Sequence, residues 1–186
     1  MIDPFRIIAE FYPDADPARE ILLRHSIAVR DKALRLRAAS PLKDQLDPEL
    51  LAAGALLHDL GIRECAAPKL HCRGRLPYLA HGLAGARLLR EYAAARQLDL
   101  EPLARICERH TGTGLTATDI RTQQLPLPEQ DFLPETPEEK LVCYADKFFS
   151  KSGDFREKPL AQVEREIARF GPANLARFAA LRKLFP

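Results

Sequence analysis

The stretch Asp47-Pro48-Glu49-Leu50-Leu51-Ala52-Ala53-Gly54-Ala55-Leu56-Leu57-His58-Asp59-Leu60-Gly61 is small and apolar for most of its length, then presents a histidine and an aspartate side by side. Asp47 suits an N-cap and Pro48 the first helical position. Gly61 suits the position just past a helix end. The spacing predicts a helix from residue 47 to 61 with a buried face. Burying an imidazole beside a carboxylate is costly unless something charged compensates them. A divalent metal does so, because His nitrogen and Asp oxygen are both common ligands. His25, His81, His110 and Asp146 complete a plausible ligand set, each in or beside a helix-like segment.

The same helical patterning extends in both directions. A short helix is expected over residues 4–11. A long one begins near Asp16-Pro17 and runs to about Ala39, with Ile21, Leu22, Ala28, Val29, Ala33 and Leu36 on one face. Further helices are expected over about 79–96, 101–109, 136–150, 159–169 and 172–184. The 136–150 helix opens on Thr136 and Glu139 at capping-box spacing. No period-2 run and no internal repeat is evident. His25 falls in register with Ile21, Ala28, Val29 and Lys32. His81 is followed by Gly82 and Gly85, which implies close backbone approach to compensate their helix cost. Asp146 sits within the apolar segment Leu141–Phe149. Taken singly, each histidine reads as a hydrogen-bonded core or surface residue. Taken together, the order His…His-Asp…His…His…Asp favours a metal site.

Two long connections interrupt the helices. Residues 62–78 are basic, with Arg63, Lys69, His71, Arg73 and Arg75. Residues 111–135 are rich in Thr, Gln and Pro, and prolines 126, 128, 134 and 137 exclude a long helix there. A connection of that length is either functional or a disordered insertion.

Bulk properties narrow the function classes. The 186 residues suit one domain with a substantial core. Apolar residues make up 46% and charged residues 29%, and the net charge of +2 gives no case for a dedicated nucleic-acid binder. No apolar run approaches the roughly 18 to 20 residues that span a bilayer. The first ten residues lack the order of a signal peptide, so a cytoplasmic location is expected. Cys65, Cys72, Cys107 and Cys143 form no C-x-x-C pair and are expected as thiols, Cys107 and Cys143 in the core. His71-Cys72 with Cys65 is too small a set for a closed metal site.

The residues His25, His58-Asp59 in Ala-Leu-Leu-His-Asp-Leu-Gly, and Asp146 in Tyr-Ala-Asp-Lys resemble the HD-domain superfamily of metal-dependent phosphohydrolases. His81 and His110 resemble its two-metal subset. The resemblance implies an all-α, single-domain helical bundle of the HD type. It divides the chain into a short N-terminal helix and turn (1–16), the HD-type domain (17–152) and a C-terminal helical extension packed on it (153–186). It implies that His25, His58 and Asp146 hold one metal, that His81 and His110 hold a second, and that Asp59 bridges both. The cofactors would be one or two divalent transition-metal ions, among Fe, Mn, Zn, Ni and Co. Asp59 and His58 would be the catalytic pair. The substrate would be a small phosphoester, such as a nucleotide, cleaved by a metal-bound hydroxide, with no membrane partner.

The chain departs from the family pattern at one place. Many members carry Lys three residues after the Asp of the pair, where this chain has Ile62. Arg63, Arg73, Arg75 and Lys147 are the candidates to contact the phosphate instead. The segment 62–78 would then form a wall or lid of the pocket. The chain also lacks the Gly-Tyr-Pro signature of the cyclic-di-GMP branch. Two other functions fit the same ligands: a di-iron, O2-dependent oxygenase and a non-catalytic nucleotide-sensing module. Retention of all six ligands argues against the sensor.

Overall fold

A computed structural model describes residues 2–186. Among them are nine α-helices: α1 (Pro4–Phe11), α2 (Pro17–Ala39), α3 (Pro48–Leu57), α4 (His81–Arg96), α5 (Glu101–Arg109), α6 (Ala117–Thr122), α7 (Pro137–Asp146), α8 (Leu160–Ala168) and α9 (Pro172–Leu184). The fold is an all-α bundle, as the patterning predicts. Helices α1, α2 and α3 begin in the same way. Asp3, Asp16 and Asp47 accept hydrogen bonds from backbone N–H groups of the first turn, with proline following. This satisfies donors that a helix start leaves unpaired. Thr136 and Glu139 form the expected capping box on α7.

Helix α2 packs on α3 and α7, and α4 packs on α5. The apolar interior falls into two main clusters. One joins Ile7, Ile8, Leu22, Leu57, Leu60, Leu89 and Leu103. The other joins Val29, Leu51, Leu141, Val142 and Phe178, and includes Val163, Ile167 and Phe185 from the C-terminal segment. His25 lies on α2 between Leu22 of the first cluster and Val29 of the second. The candidate ligands therefore sit at the seam of the two clusters.

Three local expectations are corrected. Helix α3 ends at Leu57, not Gly61, and a tighter 3-10 turn spans Leu60–Glu64. Gly61 is needed for another reason: a Cβ there would lie 2.2 Å from the His81 carbonyl oxygen and from the Gly85 nitrogen. The turn after Asp59 thus rests directly on the α4 backbone. Gly82 serves in the same way, since its Cβ would lie 2.5 Å from the Cys107 carbonyl oxygen. Second, residues 62–78 contain a small hairpin of β1 (Ala66–Ala67) and β2 (Cys72–Arg73). Two-residue strands are too short to register as a period-2 pattern. Third, α7 ends at Asp146, short of Ser150.

The 111–135 connection is folded. Thr116 and Asp119 form a capping box on α6, and Leu115, Ile120 and Phe132 make a small buried cluster. The C-terminal helices clamp this segment. The buried Thr113 hydroxyl donates to Asn174 Oδ1 at 3.0 Å, and Arg177 donates to Asp119 at 2.8 Å. No helix of the described residues is long and apolar enough to cross a membrane.

Candidate metal centre

Each of the six predicted ligands is buried, and all six converge. Helix α2 supplies His25, His58 and Asp59 directly follow α3, α4 begins with His81, His110 directly follows α5, and α7 ends at Asp146. Asp59 stands at the centre, fully buried. Its Oδ2 faces His25 Nε2 and His58 Nε2, both at 3.2 Å. Its Oδ1 faces His81 Nε2 and His110 Nε2, both at 3.4 Å. Asp146 Oδ1 joins the first group, 3.0 Å from His25 Nε2 and 3.4 Å from His58 Nε2. Two ligand groups therefore share one carboxylate: His25, His58, Asp59 and Asp146, and Asp59, His81 and His110.

The tautomers are fixed by the backbone. Nδ1 of His58 donates to the Ala55 carbonyl, Nδ1 of His81 to that of Tyr78, and Nδ1 of His110 to that of Cys107, each at 2.7 Å. In the neutral imidazole each bond leaves the Nε2 lone pair facing Asp59, an arrangement typical of metal-bound histidines. His81 Nε2 and His110 Nε2 then lie 3.0 Å apart as two acceptors. Asp59 is completely buried, and neither of its oxygens has a well-aligned hydrogen bond, although the Lys151 ammonium lies 2.8 Å from Oδ2. Unpartnered, such atoms are costly. A cation among them satisfies all of these acceptors, so the donor set fits divalent metals.

Electrostatics run the same way. Burial alone would raise the Asp59 carboxyl, but His58 and Lys151 outweigh it and hold it well below the usual carboxylate range. For Asp146, Lys147 and Lys151 likewise outweigh burial. Burial and the neighbouring His110 push His81 down to about 3, so its imidazole is neutral, the form that ligates. His58 behaves oppositely: burial disfavours its charge, but Asp59 and Asp146 raise it to about 9.

The predicted substrate contacts are dispersed. The Arg63 guanidinium lies over the Tyr12 ring, 5.5 Å from its centroid. Arg73 and Arg75 are exposed on and after β2. Lys147 donates to the His110 carbonyl at 3.1 Å and pairs with Asp146 at 2.6 Å, which ties it to two ligands. Ile62 is buried in the core. Cys65, Cys72, Cys107 and Cys143 are free, buried and outside both ligand groups, and His71 is exposed.

Two participants escape sequence reading. Lys151 places Nζ 2.8 Å from Asp59 Oδ2 and 3.9 Å from Asp146 Oδ1. It lies in the polar run Ser150-Lys151-Ser152-Gly153, where a lysine carries no signal. Tyr12 donates from its hydroxyl to the Leu60 carbonyl and accepts from the Arg63 N–H, each at 2.9 Å. It pins the turn that follows Asp59. Beside the cluster lies a groove of 480 Å³ lined by Ala66, Ala67, Pro68, Lys69, Leu70, Tyr78, Ser150, Lys151 and Ser152. Tyr78 stacks on His81 with ring centroids 4.9 Å apart.

The sequence model of the HD domain matches residues 22–150, and the chain belongs to this family. It is also similar to three archaeal proteins. A tRNA (cytidine(56)-2'-O)-methyltransferase of Picrophilus torridus is 34% identical over 152 residues, 77% of this chain and 38% of the relative. An uncharacterized protein of Methanocaldococcus jannaschii is 38% identical over 128 residues, 68% of this chain and 65% of the relative. A second tRNA (cytidine(56)-2'-O)-methyltransferase, of Thermoplasma volcanium, is 32% identical over 167 residues, 89% of this chain and 42% of the relative. The chain thus spans less than half the length of the two methyltransferases.

Proposed function

We propose that the protein is a metal-dependent phosphohydrolase that cleaves a phosphoester of a nucleotide or another small molecule. The observation that carries this reading is the single buried carboxylate of Asp59, with its two oxygens facing two separate sets of imidazole nitrogens. His25, His58 and Asp146 would hold one divalent ion, His81 and His110 a second, and Asp59 both. Such ions supply Lewis-acid charge for phosphoryl oxygens and lower the pKa of water toward neutrality. The protein's own residues do the rest. Backbone carbonyls orient three of the imidazoles, Tyr12 fixes the turn after Asp59, and Lys147 braces Asp146 against His110.

A groove of 480 Å³ is within the range of small-molecule sites, which supports a substrate of nucleotide size. The named activity of two relatives concerns tRNA, and this lends support to a nucleotide as the substrate class. We do not extend methyl transfer to this chain, because its buried donor set is one for metal ions. Arg63, Arg73 and Arg75 are proposed as steering charges that raise the local concentration of an anion. We place the protein in the cytoplasm, where its four cysteines stay reduced. The test is metal analysis of the purified protein, then a phosphate-release screen over nucleotides with Fe, Mn, Zn, Ni or Co added back. Phosphate release dependent on one of these metals is expected. A metal-loaded protein that instead consumes O2 without releasing phosphate would assign it to the di-iron oxygenases.

A further inference from the structure

Lys151 is the one lysine that touches both the ligand cluster and the groove among the described residues. Its ammonium is 2.8 Å from Asp59 Oδ2, and its side chain forms part of the groove wall with Tyr78, Ser150 and Ser152. The side chain is 15% exposed, so it reaches the groove without being a free surface charge. Lys69 lines the groove but makes no contact with the ligands, and Lys147 is held between Asp146 and the His110 carbonyl.

We propose that Lys151 is the residue that anchors the substrate's phosphate, at the point where the groove meets the metal centre. This inference rests on the phosphohydrolase reading. Asp59 Oδ2 is also the oxygen that faces His25 and His58. With Oδ2 committed to a metal, the ammonium of Lys151 needs another anion. A phosphate entering along the groove provides one. Lysine suits this change of partner, since its charge is a point on a flexible four-carbon stem with three donors. The groove also suggests an orientation. Lys151, Ser150 and Ser152 would take the phosphate, and Ala66, Ala67, Pro68 and Leu70, a stretch whose one charge is Lys69, would with Tyr78 take the organic part of the ester.

The test uses the metal-loaded full chain, with inorganic phosphate as the probe. Isothermal titration compares wild type with Lys151→Met and Lys151→Arg, each checked for metal content. Lys151→Met is expected to keep its metals and to bind phosphate about ten- to a hundredfold more weakly, as for loss of a charge-assisted hydrogen bond. Lys151→Arg should recover most of the affinity. In kinetics the Met variant should raise KM more than it lowers kcat. Wild type that releases phosphate from a substrate, with unchanged phosphate affinity in Lys151→Met, overturns the anchoring role alone. Wild type that neither binds phosphate nor hydrolyses any phosphoester overturns the phosphohydrolase reading and this inference with it.

Discussion

Removing and restoring metal should change the stability of this protein in a way the ligand geometry dictates. A ligand that binds only the folded chain stabilises it by about 4 kcal/mol at a thousandfold excess over its Kd. For a chain of this length, about 2 to 4 °C of Tm accompanies each kcal/mol, so each filled site should raise Tm by about 8 to 16 °C. The structure contains two ligand groups, so two increments are expected when chelator-stripped protein is titrated with the preferred ion. Asp59 belongs to both groups. Asp59→Asn keeps the shape of the side chain but removes its charge, and it should lose most of both increments along with turnover. His110 belongs to one group, so His110→Ala should lose one increment and keep the other. Differential scanning calorimetry at fixed protein and free-metal concentration, paired with metal analysis, reads both variants. Equal metal-induced shifts in wild type and Asp59→Asn would refute the shared-carboxylate arrangement, as would full retention of turnover by that variant.

Other expectations concern the scaffold. Gly61→Ala places a methyl 2.2 Å from backbone atoms of α4, and it should destabilise by about 3 kcal/mol in urea unfolding, the upper part of the usual overpacking range, since backbone cannot swing aside as a side chain can. Tyr12→Phe removes the buried hydroxyl that bonds both the Leu60 carbonyl and the Arg63 N–H, and should destabilise by about 1 to 3 kcal/mol in urea unfolding. Asn174→Ala strips the acceptor from the Thr113 hydroxyl, which keeps only the Arg177 Nε–H as a donor to its oxygen, and should cost about 1 to 3 kcal/mol. Replacing Arg63, Arg73 and Arg75 together with Gln should lower kcat/KM at low salt and leave kcat and metal content unchanged, with the difference fading as ionic strength rises.

The ligands were legible because the chemistry constrains residue type. Only a few side chains hold a transition metal, and His25 and Asp146 stood out as polar residues on apolar helix faces. The helices were legible for a related reason, since Asp-Pro starts and the Thr136–Glu139 box are local signals that the structure retains. Lys151 was hidden because a lysine in a polar segment is unremarkable until the segment's path is known. Arg63 is the opposite case. It adjoins the candidate ligands in sequence, but the turn directs its guanidinium to Tyr12. Proximity along the chain fixes where a backbone goes, and a side chain several bonds long need not follow.

The misplaced end of α3 is tied to the function of the site. In an unbroken helix, successive side chains diverge by about 100°, so His58 and Asp59 would point apart. In the structure, His58 Nε2 and Asp59 Oδ2 face each other at 3.2 Å. The break permits this. His58 Nδ1 donates to the Ala55 carbonyl, the acceptor that the Asp59 N–H would use if the helix continued. Asp59 then turns to φ −102° and ψ 8°, and the 3-10 turn carries the chain onto α4, where Gly61 admits it beside the carbonyl of His81. The same glycine that looks like a helix terminator is thus the contact that brings the second ligand group to Asp59. A variant that restored a continuous helix through residue 61 would separate His58 from Asp59 and Asp59 from His81 together, which is why the His-Asp pair belongs at a helix end and not within one.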